Sequence, residues 1–460
     1  MSVDATNPAT GETIGTFEQL TDDAVADKIA IAAEAARTYR LTSLDERAAG
    51  LRRAADILDE DSESLAATMT AEMGKTLTAA KAEIAKCAKG LRYYAEHAPE
   101  MLADDIADAD AVSAARAFHR FQPLGVILAV MPWNFPLWQV IRFAAPGLMA
   151  GNVGLLKHAS NVPQTALYLE DLFRRAGLPD GVFQTLIISS KQVEKILRDK
   201  RVAAATLTGS EGAGRSIGEI AGSELKKVVL ELGGSDPFVV LPSADLAAAA
   251  KTATTARCQN NGQSCIAAKR FIVHTDVYDE FAEHFVREMA SRKVGDPTAD
   301  DTDIGPLATE QGRTDVVELV DDAVAKGAKV LTGGTVPDGP GWFYPPTVIS
   351  EITTEMDIYG EEVFGPVASL YRATDTDDAL RIANDTDFGL GSNVWTTDDA
   401  EIERFINGLD AGQVFVNGMT TSYPEISFGG IKNSGHGREL TAFGIREFCN
   451  VKTVWVAEQP

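Results

Sequence analysis

"PLGVILAVMPWNFPLWQVIRFAAPGLMAGNVGLLKHASNVPQTALYLEDLFRRAG", residues 123–177, states one pattern twice. An apolar run ends in the turn Pro132–Trp133–Asn134, and a helical stretch follows to Ala150. A second apolar run ends at Lys157, and a second helical stretch closes with Gly177 just past its end, where glycine commonly stops a helix. Residues 181–234 continue the alternation through "GVFQTLII", "KQVEKILRD", "RVAAATLTG", "SEGAGRSIGEIAG" and "KKVVLELGG". Short apolar strands alternating with helices predict an α/β fold with a doubly wound parallel sheet. Such sheets bind ligands beyond the carboxyl ends of their strands. Asn134, Lys157, Gly209 and Glu231 all fall there.

Working outward, residues 237–418 read as a second α/β block, with strands such as "PFVVL", "KRFIVH", "VASLYRA" and "GQVFVNG" between helical stretches. Upstream, residues 23–39 and 44–98 are rich in Ala, Glu, Lys and Leu at helical spacing, which predicts one helix and then two or three in succession. The β-branched end, "REFCNVKTVWV", predicts a terminal strand suited to pairing with another subunit.

The bulk composition narrows the function. A chain of 460 residues holds about two to four domains. Its 45% hydrophobic and 24% charged residues are ordinary for a soluble protein. No apolar run reaches the roughly 18 residues of a membrane span, so no membrane partner is expected. The first residues have neither a basic region nor an apolar core of a signal peptide, which points to the cytoplasm. A formal net charge of -25 repels phosphate backbones, so nucleic acid is not expected as a partner. The same charge means that any anionic ligand must be met by local cations. Cys87, Cys258, Cys265 and Cys449 form no C-x-x-C pair and the histidines no H-x-x-x-H pair, so no metal site is assigned.

Chemistry concentrates around "QNNGQSCIAAKR", residues 259–270. Cys265 is either a small buried hydrophobe or a nucleophile. A nucleophilic thiol needs a proton acceptor, and no histidine lies nearby in sequence. Glu231 in "LELGGSDP" is a carboxylate followed by two glycines that allow close backbone approach; alone it reads equally as a solvated charge. Asn134 between apolar residues and prolines is either a turn cap or a donor to a developing oxyanion. "LTGSEGAG" opens a helix after a strand without matching G-x-G-x-x-G, and Lys157 is either a solvated tip or a contact to a nucleotide.

The order of these motifs says more than any one of them. "NPATGE", "PWNFP", "LLKHAS", "TGSEGAG", "LELGGSDP", "NNGQSC", "EEVFGP" and "FGGIKNSGHGRE" together resemble the aldehyde dehydrogenase superfamily over nearly the whole chain. "LLKHASNVPQ", "LELGGSDPFVV" and "GREL" look like its shorter bacterial succinate-semialdehyde dehydrogenases. The resemblance implies a Rossmann-type cofactor domain over 1–102 and 124–232, a catalytic α/β domain over 233–432, and a small β oligomerisation element from 103–123 and 433–460. It implies Cys265 as nucleophile, Glu231 as general base and Asn134 as oxyanion donor. Cofactor contacts would come from Trp133, Lys157, Ser160, Gly209, Ser210, Gly214, Leu232, Glu362 and Phe364.

Relatives often carry a Glu where this chain has Ser160; a small neutral residue leaves room for a 2′-phosphate, so NADP is expected, with NAD also accepted. His158 stands where many relatives have Pro. For the substrate, Arg142 lies two helical turns beyond Asn134 and is expected to reach a carboxylate, with Trp138, Gln259 and Ser422 nearby; Gln259 replaces a second arginine found in other relatives. Ala267 stands where some relatives place a resolving cysteine, so no local thiol switch is expected. The expected activity is oxidation of succinate semialdehyde to succinate by a homodimer or homotetramer. Another aliphatic or carboxylated aldehyde such as glutarate semialdehyde is the alternative, and acyl transfer to CoA is disfavoured because Glu231 supplies a base for water.

Overall fold

The computed structural model describes residues 2–458, so residue 1 and residues 459–460, the outer ends of the first and last expected segments, lie outside it. The chain opens on a hairpin, β1 (Ser2–Thr6) and β2 (Thr13–Glu18), whose short, mostly exposed strands offer no clear apolar alternation in the sequence. Helices α1 (Asp22–Tyr39), α2 (Leu44–Glu60), α3 (Ser62–Met73) and α4 (Leu77–Met101) follow. Thr21, Ser43 and Thr76 cap α1, α2 and α4 with their side chains, so the long helical stretch divides into three. β3 (Asp105–Ile106) and β4 (Arg116–Pro123) lead into the first large sheet.

That sheet is built from β5 (Val126–Met131), β6 (Val153–His158), β7 (Phe183–Thr185), β8 (Val202–Thr208) and β9 (Lys227–Glu231). The helices α5 (Trp138–Ala150), α6 (Pro163–Arg175), α7 (Val193–Arg198) and α8 (Glu211–Ser223) connect its strands. Its parallel strands run in the order β9-β8-β5-β6-β7. The chain winds outward from β5 to β7 on one side and from β8 to β9 on the other. The crevice between the ends of β5 and β8 is therefore the switch point where such sheets hold ligands. Val126 to Ala129, the matching residues of β6 and β8, and every residue of α5 are buried, so these segments read as continuous apolar runs.

Neither α5 nor α6 carries its own side-chain cap, and α3 and α4 supply what is missing. Buried Glu72 of α3 accepts from the backbone N–H of Gln164 (2.7 Å) and Thr165 (3.0 Å). Buried Glu83 of α4 accepts from the N–H of Leu137 (2.9 Å) and Trp138 (2.8 Å) and forms an ion pair with buried Lys75. The Lys75 ammonium also stands 4.5 Å from the Phe135 ring centre. Glu83→Ala strands the Lys75 charge and two N–H groups, and the expected loss is about 3–5 kcal/mol. Urea denaturation reads it, and Glu83→Gln, which keeps the acceptor oxygen, should recover part of the loss.

The second half contributes β10 (Pro237–Val240), α9 (Leu246–Cys258), β11 (Arg270–His274), α10 (Tyr278–Ala290) and α11 (Glu310–Ala325). It continues through β12 (Lys329–Thr332), β13 (Thr347–Ser350), α12 (Asp357–Gly360), β14 (Val367–Ala373) and α13 (Thr376–Asn384). The short strands β15 (Phe388–Gly389) and β16 (Asn393–Trp395), helix α14 (Asp399–Gly408) and strand β17 (Phe415–Val416) follow. Its sheet order is β12-β13-β14-β11-β10-β16-β17. Phe238, Val240, Phe271 and Val273 fill one face and Val239, Leu241 and Ile272 the other, so this sheet too is buried on both sides.

The last elements are β18 (Ile431–Lys432), β19 (Gly435–His436), α15 (Thr441–Glu447) and β20 (Cys449–Val456). β19 returns to the first sheet and pairs antiparallel with β9, Gly435 opposite Glu231. β20 pairs with β4 along its whole length and forms the edge of a sheet ordered β20-β4-β3. Among the described residues, no helix is long and apolar enough to cross a membrane, and no metal-binding cluster of His, Cys, Asp or Glu occurs.

Candidate active site

The loop around Cys265 is locked by its backbone. After α9 the chain turns through Asn260 (φ 54°), Asn261 (φ 59°) and Gly262 (φ 77°), three successive left-handed residues. Asparagine tolerates that region better than other side chains, and here both amides also anchor it. Asn261 Nδ2 donates to the carbonyls of Gly74 and Pro306, each at 2.9 Å. Asn260 Nδ2 donates to the carbonyls of Asn134 (2.7 Å) and Gln263 (3.0 Å). A Cβ on Gly262 would lie 2.4 Å from the Gly365 carbonyl carbon, so no larger residue fits. Lys269 Nζ donates to the carbonyls of Ser264 (2.8 Å) and Cys265 (2.7 Å). Gly234 packs on the same Cys265 carbonyl, 2.6 Å from where its Cβ would be.

Cys265 thereby reaches a cavity of about 230 Å³ at the switch point, together with Asn134 from the turn after β5 and Gly209 and Ser210 after β8. Trp133, Leu232, Glu362 and Phe364 also line it. Trp133 and Phe364 meet edge to face, ring centres 5.7 Å apart. Asn134 is buried, and its Nδ2 donates to the Gln263 carbonyl at 3.1 Å. An amide nitrogen carries two hydrogens, so one remains to serve a ligand. The turn is held from below by His158, whose Nε2 lies 2.8 Å from the Pro136 carbonyl and whose Nδ1 accepts from Ala159 N–H. Burial pushes the His158 pKa down to about 4, so the ring is neutral and bonds on both sides. The residue that departs from the family's usual proline is thus the one that fastens the turn.

The rest of the crevice suits a phosphorylated dinucleotide. Ser210 Oγ accepts from Ala213 N–H and caps α8, whose N-terminus opens on the cavity. Gly214 presses on Leu232, where a Cβ would come within 2.6 Å of its side chain. Lys157, at the end of β6 and in register with Val130, is half-buried; burial lowers its pKa, and no carboxylate among the described residues pairs with it. Ser160, three residues on, is exposed and brings no negative charge.

Glu231 is buried just behind the cavity wall, with neither carboxylate oxygen hydrogen-bonded. A Cβ on Gly429 would sit 2.8 Å from its Oε1, so that glycine keeps the space open. Burial, reinforced by Glu439 and opposed by Arg142 and Arg438, pushes the Glu231 carboxyl well above the usual range. Cys265 is half-buried, yet burial pushes its thiol up to about 12 against the opposing charges of Lys269 and Arg142.

Arg142 requires a correction. It does not line the cavity as a free cation: it is buried, paired with Glu439, 4.3 Å from the Phe428 ring centre and within 3.4 Å of Thr208 Oγ1. Glu439, four residues beyond Gly435, is the counter-charge that sequence spacing could not place opposite α5. Gln259 also stays off the cavity and donates to the Ala256 carbonyl at 3.4 Å. Trp138 and Ser422 are likewise not among the residues that line this cavity, but they meet each other, the indole Nε1 donating to Ser422 Oγ at 3.1 Å. Asn260, Lys269 and Glu83 escaped the sequence reading; the Asn-Asn-Gly run was the one visible signal of a left-handed turn.

Residues 1–454 match the aldehyde dehydrogenase family. The chain is 65% identical to a succinate-semialdehyde dehydrogenase [NADP(+)] of Mycobacterium bovis over 99% of this chain and 100% of the relative. A succinate-semialdehyde dehydrogenase [NADP(+)] of Mycobacterium leprae is 64% identical over the same shares. The crystal structure of a succinic semialdehyde dehydrogenase from Streptococcus pyogenes in complex with NADP+ superposes with a TM-score of 0.96 at 39% identity, covering 99% of this chain and 100% of that one.

Proposed function

The chain belongs to the aldehyde dehydrogenase family, and we propose that it oxidises succinate semialdehyde to succinate with NADP. The observation that carries this reading is the convergence of Cys265, Asn134 and the capped end of α8 on one cavity, in a chain 65% identical to a named NADP-dependent enzyme of that activity.

In the reading we favour, the Cys265 thiol gives up its proton to solvent and the thiolate attacks the aldehyde carbon to form a thiohemiacetal oxyanion. The free N–H of Asn134 and the backbone N–H of Cys265 receive the oxyanion. Lys157, Ser160 and the capped start of α8 would hold NADP, which would supply the hydride acceptor; loss of hydride from the thiohemiacetal carbon would leave Cys265 as a thioester. Glu231 takes a proton from water, whose oxygen attacks the thioester carbon; succinate leaves and the thiol is restored. A carboxyl with a raised pKa suits that task, because it holds a proton strongly once it has taken one. Glu231 also favours water over CoA as acyl acceptor.

Lys157 and Ser160 support NADP: a cation without a counter-ion among the described residues, beside a small neutral side chain, suits a 2′-phosphate. Ser160→Glu is expected to lower affinity for NADP about 100-fold while sparing NAD, the effect of placing like charges together. Nucleotide fluorescence titration measures both. We assign cofactor binding to 1–102 and 124–232, catalysis to 233–432 and assembly to 103–123 and 433–460. The exposed edge of β20, with Val451 and Trp455 each 53% accessible, supports a homo-oligomer. Four free cysteines suit the reducing cytoplasm.

The reading is tested by NADPH formation with succinate semialdehyde, glutarate semialdehyde and butanal, with and without CoA. Highest kcat/KM with succinate semialdehyde and no CoA requirement is expected. A preference for butanal, or turnover only with CoA, overturns it.

A further inference from the structure

If the substrate is an ω-carboxylated aldehyde, as proposed above, some cation must receive its carboxylate in a chain of net charge -25. Arg142 is engaged by Glu439, and position 259 is Gln. Helix α4 offers another. Lys75, Lys81 and Lys89 on or next to that helix are each paired with a carboxylate, namely Glu83, Glu63 and Glu425. Lys86 is the exception: among the described residues, no carboxylate comes within 4.0 Å of its ammonium. Instead its Nζ stands 4.5 Å from the centre of the Trp138 ring.

Trp138 is a fixed platform. It rests on α4 at Gly90, where a Cβ would lie 2.9 Å from the ring, and its Nε1 donates to Ser422 Oγ. The Lys89–Glu425 pair, at 2.6 Å, ties α4 to the loop that carries Ser422. Trp138 and Arg142 lie one turn apart on α5, and Gln139, next to Trp138, lines the Cys265 cavity. Burial lowers the Lys86 pKa to about 8, with the Arg142 charge adding to the fall and Cys87 and Glu83 opposing it.

We propose that Lys86, with Ser422 Oγ, binds the distal carboxylate of the substrate over the Trp138 indole and so selects a carboxylated aldehyde. Ser422 Oγ accepts from Trp138 and keeps its own O–H to donate. The ring holds the ammonium and Gly90 leaves room for the ring. Specificity then resides on α4, away from the reacting atoms.

The test compares Lys86→Met and Lys86→Arg with the unaltered enzyme on succinate semialdehyde and on butanal, the uncharged aldehyde of equal carbon number. In Lys86→Met the ratio of kcat/KM for the acid aldehyde to that for butanal should fall about tenfold or more, chiefly through KM, and Lys86→Arg should restore most of it. An unchanged ratio, or an equal loss on both aldehydes, overturns the Lys86 assignment. If the unaltered enzyme has no preference for the acid aldehyde, the functional reading falls and the Lys86 assignment with it. If that preference exists and survives Lys86→Met, Lys86 alone is overturned.

Discussion

Cys265→Ala should bind NADP and form no NADPH with any aldehyde, a loss of about 10⁴-fold or more. The site offers no substitute nucleophile. Cys258 is seven residues earlier but buried, with its Sγ against Met289 Sδ at 3.6 Å, and burial pushes its thiol up to about 12. Ser264 is buried beneath the loop. The alanine variant should keep the fold, because the loop is held by backbone groups and by Asn260, Asn261 and Lys269 rather than by the sulfur. Cofactor titration and thermal unfolding check that point, and absorbance at 340 nm reads the activity. Residual oxidation within tenfold of the unaltered enzyme would falsify the assignment of Cys265. The thiol's raised pKa adds a second expectation: single-turnover acylation should accelerate as pH rises, since more of the sulfur is then ionised.

Glu231→Gln should stop the cycle one step later. Acylation of Cys265 continues, so one equivalent of NADPH per site appears rapidly and steady turnover then falls by about 10²–10⁴-fold. Intact mass should show a succinyl adduct on Cys265. The unaltered enzyme should lose turnover as pH falls, because Glu231 acts only when ionised and its carboxyl is held well above the usual range by burial. That acid limb should vanish in Glu231→Gln. Loss of the burst itself would place Glu231 before the thioester, as the acceptor of the Cys265 proton.

The doubly wound sheet was legible because its strands are buried on both faces and appear as unbroken apolar runs between helices. The order of PWNFP, LELGG and NNGQSC around that sheet also pointed to Cys265, Asn134 and Glu231. What stayed hidden depends on contacts between distant segments. Glu439 meets Arg142 across roughly 300 residues of sequence, and no periodicity announces such a pair. The hairpin of β1 and β2 was missed because mostly exposed strands need no apolar face. Lys86 was invisible for the converse reason: on an amphipathic helix it looks like any solvated lysine, and only the position of Trp138 distinguishes it.

The two borrowed helix caps have a consequence for how this chain tolerates change. The turns after β5 and β6 take their shape from Glu83 and Glu72, which belong to a segment that contributes nothing to the sheet. The first hundred residues therefore act as a jig for the working half. Drift on the solvent side of α3 and α4 is nearly free, whereas three positions, Glu72, Lys75 and Glu83, are pinned by the geometry of strands they never join. Lys86 lies one turn beyond Glu83 on the same helix. A lineage could retune what the enzyme accepts at that turn while the neighbouring turn keeps the catalytic groups in register.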